Sequence, residues 1–105
     1  EMCHECTSLQ RIVIPQSVEV ISARAFRLCS SLVDVDLGRN LISVGARAFA
    51  GCTALRTLRF PDWNAYPPGR IEGSAIEGCS PNLRVFVGDE EVTQTLQAGV
   101  SVNYR

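Results

Sequence analysis

Ile14-Pro15-Gln16-Ser17-Val18-Glu19-Val20-Ile21-Ser22-Ala23-Arg24-Ala25-Phe26-Arg27-Leu28-Cys29-Ser30-Ser31-Leu32 decides the fold, because it comes round again. One period later the chain reads Leu37-Gly38 at the start, then Leu41, Val44, Ala48-Phe49, Cys52 and Leu55. Cys6, Cys29 and Cys52 stand 23 residues apart, and Cys79 follows after 27. A fixed period of this size is the mark of stacked repeats, each too small to bury its own apolar face.

Outward from the cysteines the apolar residues fall into columns. Eight residues before stand Ile21, Val44 and Ile71, and three before stand Phe26, Phe49 and Ile76, each after an alanine. Six after stand Ile12, Val35, Leu58 and Val85; eight after stand Ile14, Leu37, Phe60 and Val87. A separation of two puts these last columns on one face of a short strand. Pro15, Gly38, Pro61 or Gly88 then ends it. The gaps of about four and three between the Ile/Val, Ala-Phe and Cys columns are closer to a helical turn. The expected architecture is an α/β-type repeat solenoid: one parallel sheet, with irregular or short helical returns.

The phrase Ile14-Pro15, Val18, Ile21, Ala25-Phe26, Cys29, Ser31-Leu32 resembles the BspA-like class of leucine-rich repeats. The match is close over residues 6 to 60 and continues over 71 to 88 with one offset. The resemblance implies a non-catalytic protein–protein interaction module. Because relatives include surface and secreted proteins, it also implies a cell-surface adhesin as an alternative. A second alternative is a small accessory subunit of a larger assembly, cellular or organellar.

Residues 1–88 are read as about four repeats, the first incomplete and the third four residues longer. Residue 1 falls in mid-repeat, with Met2 and Cys3 where Ala and Phe stand later, so upstream residues or a partner are expected to cover that end. Residues 89–105 lose the phrase and are read as a C-terminal helix–strand cap. Asp89-Glu90-Glu91 are expected to start a helix at its positive end, and Val92 and Leu96 share one face. Gly99 stops it, and Val100, Val102 and Tyr104 alternate as a strand.

The net charge of −1 implies no nucleic-acid partner, and the ten basic residues are all arginine. No apolar run is long enough to span a membrane, which leaves peripheral association with a membrane complex compatible with the sequence. Cys29, Cys52 and Cys79 read as a ladder of buried thiols rather than disulfides, since stacked side chains point the same way. Cys3-His4-Glu5-Cys6 is the one C-x-x-C, but it lacks the second ligand pair that a structural zinc site needs. With one histidine and no glycine-rich phosphate loop, neither a nucleophile–base pair nor a cofactor site is supported.

Contact residues are sought on two surfaces. Strand positions facing away from the core read Arg11, Asp34, Thr57, Arg84 and Val13, Asp36, Arg59, Phe86, with Arg11 beside Asp34 and Asp36 beside Arg59. Such a mixed-sign face equally serves to keep a sheet solvated. The longer third unit adds Trp63, Tyr66 and Arg70, residue types that anchor interfaces. Pro68 stands in the core column of Val18 and Leu41, so Trp63 and Tyr66 have two readings, core filler or contact. The candidate partner-binding residues are therefore Trp63, Tyr66, Arg70, Arg59 and Phe86.

Overall fold

The computed structural model describes residues 8–105. Its chain winds as a solenoid, and each coil contributes one strand to each of two sheets. The first sheet takes β1 (Arg11–Val13), β3 (Asp34–Asp36), β5 (Thr57–Phe60) and β7 (Arg84–Val87), all parallel. The second takes β2 (Val20–Ile21), β4 (Ser43–Val44) and β6 (Gly69–Ile71), also parallel. Pairing follows the cysteine register: Ile12 faces Val35, Leu58 faces Val85, and Ile21, Val44 and Ile71 form one row.

The second sheet adds to the single sheet expected. Its strands are only two or three residues long, too short for alternation to announce them. The return through Ala-Phe is not a helix, although its spacing is helical. Ala25, Arg27 and Cys29 donate their N–H groups three residues back, at 3.2 to 3.3 Å. Arg24, Phe26 and Leu28 donate sideways instead, to Ala46, Ala48 and Ala50 of the next coil at 2.8 to 3.0 Å. Alternation of this kind satisfies the backbone while tying coil to coil.

Between the sheets lies the core. Leu58, Val85, Val87, Leu55 and Leu83 are buried, and Phe26 stacks on Phe49 with centroids 5.4 Å apart. Each such side chain contributes about 1.5–3 kcal/mol by leaving water, which no coil gains without a neighbour.

At the C-terminal end both sheets close with an antiparallel strand. Chain reversal at Gly88 and Asp89 lays β8 (Glu90–Glu91) on β7. Then α1 (Thr93–Gln97) packs Val92 and Leu96 inward, and β9 (Val102–Tyr104) pairs with β6. Asp89 thus lies in the turn and Glu90–Glu91 form a strand, rather than the start of the helix, whose N-cap is Val92 and whose first turn holds no acid. Pairing with β7 satisfies the backbone of Glu90–Glu91 before the helix begins.

Candidate protein-binding surfaces

Parallel pairing in register sets the outward residues of the first sheet in two rows. Arg11 lies beside Asp34 and binds it at 3.2 Å, and Val13 lies beside Asp36. Farther along, Thr57 faces Arg84 and Arg59 faces Phe86. Arg59 rests its guanidinium 4.5 Å from the Phe86 ring centre, and Arg84 places its own 5.2 Å away. Phe86 is thereby half-buried under two cations. Arg84 is itself held by Glu91 at 3.1 Å, and Glu91 accepts from Thr93 Oγ1 at 2.9 Å. Those donors lower the Glu91 pKa, Arg84 first. The exposed apolar residue of this sheet face is Val13, 73% accessible.

The five candidates do not form one patch. Arg59 and Phe86 meet on the first sheet, whereas Arg70 lies on β6 in the second. There Arg70 binds Glu72 at 3.0 Å and also Asn103 of β9. Tyr66 sits in the loop between the sheets, 80% exposed. Trp63 is 2% exposed, so it belongs to the core and is removed from the contact surface. Its Nε1 donates to the Leu41 carbonyl at 2.9 Å, and its ring stacks on Phe60 at 5.6 Å. Pro68, the register partner of Leu41, is turned out to solvent, and the indole supplies the missing volume.

A latch holds the longer loop to the C-terminal segment. Glu90 accepts from Tyr104 Oη at 2.7 Å and from Asn64 Nδ2 at 2.9 Å. These bonds lower the Glu90 pKa, Tyr104 first, while burial and then Glu90 raise that of Tyr104. A depressed carboxylate contributes stability that is present above its ordinary pKa and lost as pH falls through the folded value. The raised phenol contributes below its ordinary pKa and loses that as pH climbs through the folded value. Wild type is therefore expected to lose more thermal stability on acidification than Glu90→Gln, measured by melting across an acid series. Parallel melting curves at every pH would rule the latch out.

The thiol column has little reactivity. Cys52 Sγ donates to the Phe26 carbonyl at 3.1 Å, and Cys79 Sγ to that of Phe49 at 3.0 Å. Burial pushes Cys52 up to about 12 and Cys79 up to about 11, so neither is a thiolate near neutrality. No disulfide joins Cys29, Cys52 and Cys79. Iodoacetamide at neutral pH is expected to label Cys52 only after denaturant is added, read by peptide mass spectrometry. Rapid labelling of the native protein would contradict the packing. Among the described residues no three His, Cys, Asp or Glu side chains gather as a metal site. Cys3, His4, Glu5 and Cys6 lie outside the described residues.

A surface not singled out in the sequence lies on the return turns. Arg24, Arg27 and Arg47 border a shallow groove of about 550 Å³, with Leu28 and Gly51 inside it. The signal was one column: the residue before cysteine reads Glu5, Leu28, Gly51 and Gly78, and the last three hold positive φ. Leucine is out of place there.

Coils of 23 residues with one longer unit, a thiol ladder and two sheets define a repeat solenoid of the leucine-rich kind. The family model described as BspA type leucine rich repeat region, in 6 copies, matches residues 1–95, and the chain belongs to that family. No curated protein and no solved structure gives a significant match. Membership in a leucine-rich repeat family goes with interaction or adhesion rather than with catalysis. No helix among the described residues is long and apolar enough to cross a membrane.

Proposed function

We infer that the chain is a non-catalytic protein-binding module whose contact surface is the outward face of the first sheet and the adjoining Tyr66 loop. The observation that carries this reading is exposure. Tyr66 and Val13 are the two most exposed large hydrophobic side chains among the described residues. One stands on the loop that leaves β5 and the other on β1. Each leaves apolar area in water that a bound partner would cover. Arg59 and Phe86 continue the same face, and the Arg11–Asp34 pair on β1 and β3 is exposed, so it sets charge pattern more than stability. Trp63 and Arg70 support the surface from behind, one by filling the core and the other by tying β6 to β9.

The test compares proteins retained from source-cell extract by wild type, by the double variant Val13→Asp/Tyr66→Ala, and by Val20→Asp on the second sheet. The double variant is expected to lose its specific companions by about tenfold or more, the size of a hot-spot loss. Val20→Asp is expected to keep them. Retention by the double variant with loss in Val20→Asp would move the surface to the other sheet.

A further inference from the structure

Among the described residues, three that are not glycine hold a left-handed backbone: Arg24 at φ 62°, Leu28 at 62° and Arg47 at 56°. All three line the one groove on the return turns. Left-handed φ in bulky residues persists only where the surroundings impose it, and such positions gather at ligand sites. At the position of Leu28 the next two coils use Gly51 and Gly78, which fit that conformation without strain. Leu28 nonetheless keeps its side chain over Gly51, where any added Cβ would meet it at 2.7 Å, and leaves 38% of itself in solvent. An apolar side chain is thus held open at a site where the fold itself favours glycine.

The groove is also charged. Three guanidiniums line it against one carboxylate, Glu77, which binds Arg47 at 3.2 Å. Among the described residues, Arg24 and Arg27 have no acidic partner within ion-pair distance. This local excess stands on a chain of net charge −1, so it is not a sample of a generally basic surface. Arginine forks match carboxylates in a two-point geometry.

We propose that this groove docks an acidic peptide segment, with carboxylates on Arg24 and Arg27 and an apolar side chain against Leu28. The glycine at 51 leaves the room in which the Leu28 side chain lies across the groove. Leu28 is what favours a peptide over a sulfated sugar, which would engage the arginines and leave the isobutyl group unused. The site is separate from the first-sheet face.

Fluorescence anisotropy of the whole chain with a fluorescein-labelled peptide of repeating Glu-Leu-Glu units tests this. Saturable binding that weakens with salt is expected. Arg24→Gln/Arg27→Gln, at surface positions that leave the core intact, is expected to weaken it by about tenfold or more. Leu28→Gly is expected to weaken it by about threefold while raising the melting temperature, because glycine suits the backbone there. Those opposite signs distinguish a binding residue from a structural one. Absence of saturable binding, or affinity unchanged in the arginine double variant, would overturn the proposal. So would a heparin oligosaccharide that binds the groove equally in wild type and Leu28→Gly while the peptide does not.

Discussion

Trp63→Ala is expected to remove about 4 kcal/mol of folding free energy, as large aromatic truncations in cores do. The indole is nearly fully buried, stacks on Phe60, and lies 6.1 Å from the Tyr104 ring. It also lies flat on Gly69, where a Cβ would overlap it. Its loss would leave a void between the second and third coils, and the Leu41 carbonyl would lose its donor. Trp63→Phe separates these effects. It keeps most of the apolar volume and gives up the hydrogen bond, for about 1–3 kcal/mol. Urea unfolding followed by far-ultraviolet circular dichroism measures both variants. Fluorescence does not serve, because Trp63 is the chain's one tryptophan. An alanine variant within about 1 kcal/mol of wild type would contradict the packing described, since small domains hold only about 5–15 kcal/mol in total.

Gly73→Ala is expected to be the second severe change, at about 3 kcal/mol, the upper end of overpacking costs. A Cβ at this position would collide with the backbone carbonyl of Gly99. Ser101 N lies at 3.0 Å from the same point. All the atoms met are main chain, so no flexible side chain can move aside. The Gly73 N–H also donates to Ser101 Oγ at 2.9 Å, so displacement costs that bond as well. The damage should be local. Hydrogen exchange is expected to accelerate in β9 and its partner β6 before the β1–β3 pairing is affected. Ser101→Ala, which removes only the hydroxyl, is expected to cost about 1 kcal/mol. If Gly73→Ala proved no worse than Ser101→Ala, the close approach would not constrain this end.

The columns were legible because each apolar residue does one job in every coil. Ile21, Val44 and Ile71 could be aligned by counting, and they are paired in the structure. Burial imposes that regularity. The second sheet was not legible, because Val20–Ile21 and Ser43–Val44 are too short to show alternation. The returns were expected to be irregular or short helical, and Ala25–Cys29 is irregular in a definable way: a turn that sends alternate N–H groups to its neighbour keeps the spacing and loses the helix. Glu90 and Glu91 were legible as acidic residues near a helix but not as a strand, since their pairing with β7 depends on the reversal before them.

For contact residues the sequence was less informative. Trp63 could be core or surface until its Nε1 partner was located on another coil. Arg59 was expected to answer Asp36, and it rests on Phe86 instead, its neighbour on the other side. Outward residues are not held to a period by burial, so of the arginines around Leu28 only Arg24 and Arg47 share a column, five residues before the cysteine, and Arg27 stands outside it. The repeated Ala-Arg-Ala-Phe and the leucine in a slot that the next two units fill with glycine were the signals.

The antiparallel closure by β8 and β9 bears on how such a chain can lengthen over generations. A duplicated unit of 23 residues spliced in after Leu37 would meet a parallel edge on either side and be accommodated as one more coil. At the other edge of each sheet a new coil would meet a reversed strand instead of a parallel one, because β8 and β9 lie there. Gene duplication within the repeats can therefore change reach and the number of arginine-bearing turns, while the terminal segment is inherited as a fixed end-piece.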